Sequence, residues 1–174
     1  MPRYGVEEDS SFVPNSVLLL LLTAAFALAG CQSTGMDGAN FTRARFFLES
    51  VSSDGYSAAV TLPLSRVQIP VESEAIVSEY DYHSIEVVDV DLGRCLAFTL
   101  KPPAAREFYQ ISVANQGKRL VLVVNGAPLG VRKIDGPIAN GKIFVFLEVS
   151  DKNLEELAKK LKESNFDIQK KLKR

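Results

Sequence analysis

Side chains able to do chemistry are few in this chain, and their spacing assembles no reaction centre. His83 is the single histidine, so no histidine cluster is available for zinc, and the two cysteines, Cys31 and Cys95, stand 64 positions apart. A Ser-His-Asp set would have to draw on His83 and Asp81, yet no G-x-S-x-G elbow presents a serine to them. Asp89-Val90-Asp91-Leu92-Gly93 opens like a calcium loop. Its twelfth position is Leu100, where a bidentate Glu is required, and its glycine stands at five instead of six. Glu86, Asp89 and Asp91 could pair as glycosidase carboxylates, but the chain has no tryptophan to stack on a sugar. Gln116-Gly117-Lys118-Arg119 lacks the spacing of a phosphate loop and forms, with Arg132 and Lys133, only a modest basic patch. The expectation is a protein that is not an enzyme and holds neither metal nor cofactor.

Composition narrows the classes further. The 174 residues are 47% apolar with a formal net charge of −1, ordinary for a small globular domain and unfavourable for nucleic-acid binding. Much of the apolar excess lies in residues 17–29, VLLLLLTAAFALA. That run is short for a bilayer span and suits the apolar centre of a secretory signal, with a buried core helix as the alternative. Its upstream flank is acidic, with Glu7, Glu8 and Asp9 against Arg3, where a signal normally carries positive charge. Translation starting further in, or an export route that tolerates the acidity, would account for this.

Leu28-Ala29-Gly30-Cys31, which follows the run, resembles the lipobox of bacterial lipoproteins. The resemblance implies cleavage before Cys31 and lipidation of its sulfur. Several acyl chains such as palmitate then anchor the protein, each buried methylene contributing about 0.8 kcal/mol. Gln32 in place of Asp after the cysteine implies the periplasmic face of the outer membrane. With Cys31 lipidated, Cys95 has no disulfide partner and reads as a small buried thiol.

Residues 31–43 read as a flexible tether. Residues 44–49 and 58–62 are β-rich runs around Asp54-Gly55, which predicts an N-terminal hairpin, and Pro63 and Pro70 mark an extended connection after it. A second hairpin is expected from 85–91 and 94–101, closing near Leu92-Gly93. Pro103 suits the first turn of a helix whose inward stripe is Ala104, Phe108 and Ile111. Residues 120–124 are apolar on both faces, as a covered central strand requires, and Asn125-Gly126 is a tight-turn signal into 129–134. After Asp135-Gly136-Pro137 and Asn140-Gly141 comes a strand at 143–149. Ser150 then caps a helix with Leu154, Leu157, Ala158 and Leu161 inward. Residues 164–174, with Lys170, Lys171, Lys173 and Arg174, read as a frayed basic tail capable of touching anionic lipid.

This order predicts an α+β, ferredoxin-like domain, an antiparallel sheet with two helices on one face, over residues 85–163, with 1–30 as signal and 44–84 as hairpin and connection. Residues 85–163 also resemble the head subdomain of the first large periplasmic domain of SecD, the accessory subunit of the bacterial Sec translocase. The likeness is carried by Phe108, by Asn115-Gln116-Gly117-Lys118-Arg119 leading into LVLVVNG, by Pro137-Ile138 before Asn140-Gly141, and by the strand–Ser150–helix ending. These are turns and strands, so the resemblance implies a fold and a protein-contacting role. The membrane helices through which SecD couples to the proton gradient have no counterpart here beyond the signal. The expected function is a membrane-anchored periplasmic lipoprotein that binds envelope or exported proteins and assists export. Its partner-binding loops would be Asn125, Gly126, Arg132, Lys133, Asp135, Gly136 and Pro137, or an exposed sheet edge capable of strand addition. The alternative is a structural or assembly lipoprotein with no translocase role, and an envelope hydrolase with an unrecognised site is a third reading.

Overall fold

Long stretches of β-branched and aromatic residues alternate along this chain, and they pair into a sheet. The structure is a computed structural model that describes residues 41–51 and 57–173. The signal, Cys31 and the Asp54-Gly55 loop lie outside the described residues. Eight strands run β1 (Ala44–Glu49), β2 (Ala58–Thr61), β3 (Gln68–Val77), β4 (Tyr82–Val90), β5 (Gly93–Leu100), β6 (Arg119–Val124), β7 (Ala127–Lys133) and β8 (Lys142–Leu147). Helix α1 (Pro102–Ala114) joins β5 to β6, and α2 (Asp151–Leu172) follows β8. The strand order is β2-β3-β1-β6-β7-β8-β5-β4, and neighbouring strands are antiparallel throughout.

Both helices pack on one face. Phe108 of α1 and Leu154, Ala158 and Leu161 of α2 share a buried cluster with Phe46, Phe98, Leu120, Leu122 and Val145. Phe98 meets Phe46 edge-on at 5.0 Å and Tyr82 at 5.2 Å, the geometry aromatic quadrupoles favour. On the other face Leu62, Ile69, Val71 and Val121 form a smaller cluster. The double-sided apolar pattern expected of 120–124 is thus used on both sides.

The expectations hold where they rest on local geometry. Val90 pairs with Gly93 to close the second hairpin. Asn125 and Gly126 take positive φ, 49° and 84°, as a tight turn matched to strand twist demands. Ser150 accepts a hydrogen bond from the Asn153 amide and caps α2.

Several expectations are corrected. The N-terminal hairpin does not form, because β3 inserts between β1 and β2. Residues 68–77 looked like a Pro-broken connection, but Pro70 is tolerated one strand in from the edge, where shifts in the β1–β3 register relieve the ladder. The ferredoxin-like arrangement is also absent. That fold needs parallel strands flanking a crossover helix, whereas β5 and β6, joined by α1, are separated by β8 and β7 and run oppositely. β1 sits between β3 and β6, and the chain from Phe41 onward groups as one compact unit. Within that unit, residues 41–43 are not a free tether. The Thr42 amide donates to Ser164 Oγ at 2.8 Å, and the Arg43 amide to Asn125 Oδ1 at 2.8 Å.

The last correction concerns the tail. Residues 164–172 continue α2, with Ser164, Asn165 and Ile168 buried. Two polar residues interrupt the apolar stripe in the sequence, yet each finds a partner, Ser164 the Thr42 amide and Asn165 the His83 carbonyl.

Candidate functional site

The loops expected to bind a partner lie at opposite ends of β7. Asn125 and Gly126 sit where β6 turns into β7, and Asp135, Gly136 and Pro137 follow the opposite end of β7. Seven strand residues lie between them, about 23 Å at the usual rise. Arg132 is half-buried and its guanidinium donates to the Phe144 carbonyl at 3.1 Å, where β7 and β8 diverge past their two paired positions. Lys133 is exposed.

The sheet edge at β4 has more of the features a binding site needs. β4 ends the strand order and pairs with β5 alone among the described strands. At its start, Tyr82 faces Leu100 and Ser84 faces Thr99, so His83 is an extra, bulged residue. The His83 carbonyl accepts from Asn165 Nδ2 at 3.1 Å, and the Tyr82 carbonyl accepts from Gln169 Nε2 at 3.3 Å. These bonds fasten α2 along the strand. Between them runs a groove of about 650 Å³ floored by Ile85 and walled by Phe166, with Lys101, Lys162, Lys173 and Glu86 around it. Phe166 is 69% exposed, a large apolar ring held beside an open strand edge. Three ammonium groups face one carboxylate, and Glu86 already accepts from Ser84 Oγ at 3.0 Å. The groove is basic with an apolar centre.

The turn that leads into β4 is held by charge pairs and hydrogen bonds. Glu79 is 1% exposed and receives two hydrogen bonds from Arg45, at 2.7 and 2.8 Å, with Arg43 at 3.7 Å. Burial raises its carboxyl, but Arg45, a backbone amide and Arg43 outweigh burial and hold it below the ordinary carboxylate value. Asp81 is committed to Ser78, accepting from its amide and hydroxyl at 2.7 Å each, and its carbonyl accepts the Lys101 amide at 2.8 Å. Those bonds place Lys101 at the groove and engage Asp81 Oδ2 with Ser78. Cys95 is buried, and burial pushes its thiol up.

Sequence reasoning missed Phe166 and the groove. An exposed Phe in a segment read as tail was the available signal. A second concavity, of about 420 Å³, lies on the outer side of α1 at Arg106, Tyr109 and Ala139, without a strand edge. Among the described residues no group of three or more His, Cys, Asp or Glu could hold a metal ion, and no helix is long and apolar enough to cross a membrane.

No family model matches the chain, and no curated protein matches it. Solved structures do. A crystal structure of SecDF in its super-membrane-facing form superposes with a TM-score of 0.54 at 18% identity, over 70% of this chain and 18% of that one. A second SecDF structure, described as a membrane component that enhances protein export, gives 0.53 at 15% identity, over 88% of this chain and 71% of that one. The likeness extends well beyond residues 85–163. This chain therefore carries a SecD-like α+β fold, an eight-stranded antiparallel sheet with two helices.

Proposed function

We propose that this chain is a periplasmic lipoprotein, anchored through Cys31, whose SecD-like domain binds extended protein segments in support of export and performs no catalysis. One observation carries the reading: within a fold shared with SecDF, a nine-residue edge strand lies beside an apolar, basic groove. An added strand gains main-chain hydrogen bonds from such an edge, and the groove takes alternate side chains. Phe166 and Ile85 suit an apolar residue, and Lys101 and Lys162 suit acidic neighbours.

A photocrosslinking residue in place of Phe166, compared with one in place of Tyr109 on α1, tests this in cells. Adducts with many exported chains at 166 and few at 109 are the expected result. A single stable envelope protein at either position would instead establish the assembly reading. Lys101→Glu with Lys162→Glu should weaken capture of an acidic peptide, each exposed charge contributing about 0.2–1 kcal/mol. Cys31→Ser should leave an unlipidated precursor, and unchanged maturation in that variant would refute the anchor.

The assembly reading has its own support. The chain spans 18% of the longer SecDF chain, and no described helix could take over that protein's membrane part. A fold of this kind serves equally as a scaffold between envelope proteins.

A further inference from the structure

We infer that the C-terminal end of α2 rests on an anionic phospholipid surface, with Lys170 and Lys171 meeting headgroups and Leu172 entering the layer between them. The inference builds on the proposed anchor at Cys31. Nine residues separate Cys31 from Phe41, so whatever their conformation the domain starts within about 35 Å of the lipidated sulfur. The chain enters the domain directly beside the end of α2. Lys171 Nζ lies 4.5 Å from the centre of the Phe41 ring, and the Thr42 amide donates to Ser164 Oγ. The helix runs 22 residues, about 33 Å, so its other end stands far from that point of attachment.

Charge at this end favours the contact. Lys170 and Lys171 lie in the last turn, where they also offset the negative end of the helix dipole, and Lys173 caps it. Among the described residues no salt bridge engages Lys170 or Lys171, although Asp167 lies one turn back. The acids of the neighbouring turn are committed elsewhere, Glu79 to Arg45 and Asp81 to Ser78. Leu172 is 56% exposed at the tip, although it continues the stripe that is buried at Leu161 and Ile168. Cations around one exposed apolar side chain match the boundary between headgroups and acyl chains. Seated this way, α2 holds the β4 groove close to the membrane.

The test uses the acylated full chain with Leu172→Cys carrying an environment-sensitive fluorophore. Cys95 is buried and leaves that label unique. A control label replaces Leu92, 84% exposed in the β4–β5 turn, close to Arg94, which pairs with Glu155 near the start of α2. With phosphatidylcholine vesicles the protein floats and both labels report water. With phosphatidylglycerol added, the label at 172 shifts to the blue and is quenched by a bilayer-borne quencher, while that at 92 does not change. Lys170→Gln and Lys171→Gln should each lower the equilibrium for seating the 172 label on anionic vesicles about fivefold, read from its blue shift, and salt should do likewise. A protein that floats but keeps the 172 label in water on anionic vesicles refutes the contact and spares the anchor. A protein that fails to float on neutral vesicles removes the anchor and this inference together.

Discussion

The two edges of the sheet are built to opposite ends. β2 is four residues long, begins with the small residues Ala58 and Ala59, and borders a strand that contains Pro70. The turn after it is tied down, because Glu148 accepts from the Leu64 and Ser65 amides at 2.8 and 3.0 Å. Short length and a pinned turn are the usual ways of denying an edge to another chain. β4 is nine residues long, bulged only at its start, and α2 walls its side without covering it. Among the described residues one edge is thus closed and the other lies open beside a groove, and the proposed function assigns partner binding to the open one.

The largest effect should come from the core behind the open edge. Phe98→Ala removes the ring that Phe46 and Tyr82 contact and should cost about 3–5 kcal/mol in urea denaturation. Hydrogen exchange should accelerate more in β4 and β5 than in β2, and an equal change at both edges would contradict their independence. Next is the junction between the halves, where β7 and β8 pair only at Gly130–Leu147 and Val131–Phe146. A Cβ on residue 130 would fall 2.5 Å from the Phe146 carbonyl oxygen, so Gly130→Ala should cost about 1–3 kcal/mol and loosen one edge from the other.

Glu79→Gln weakens the turn that opens β4 and should cost about 1–3 kcal/mol at neutral pH. The pH dependence has a definite sign. Glu79 and Glu49 are both held below the ordinary carboxylate value near 4.5, Glu49 chiefly by its hydrogen bonds from Arg119. Their stabilisation is complete above that value and is lost as pH falls through the depressed folded values. Glu79→Gln should therefore flatten the acid limb of the stability profile, and an unchanged limb would overturn this account of Glu79. The smallest effect is at the closed edge. Glu148→Gln should speed amide exchange at Leu64 and Ser65 by roughly two- to fivefold, leaving β4 unchanged.

What could be read from the chain depended on how local the cause was. The Asn125-Gly126 turn, the β4–β5 hairpin and the Ser150 cap each depend on a few adjacent residues and were legible. The insertion of β3 was not, because Pro63 and Pro70 disfavour a strand locally and only the partners β1 and β2 override them. The end of α2 was hidden for a similar reason. Ser164 and Asn165 break an apolar stripe, and their hydrogen-bond partners, Thr42 and the His83 carbonyl, lie 122 and 82 positions away. The separation of the expected partner-binding loops by the length of β7 was likewise set by the register of distant strands.

By itself the sequence determined the α+β class, the positions of most strands and both helices, and the likeness to SecD, since periodicity and turn chemistry act over a few residues. The order of the strands, the choice of β4 as the open edge and the basic groove with Phe166 at its side were decided by tertiary structure alone. Each is a pairing between distant segments, whose free energy comes from burying surface that no single segment can cover.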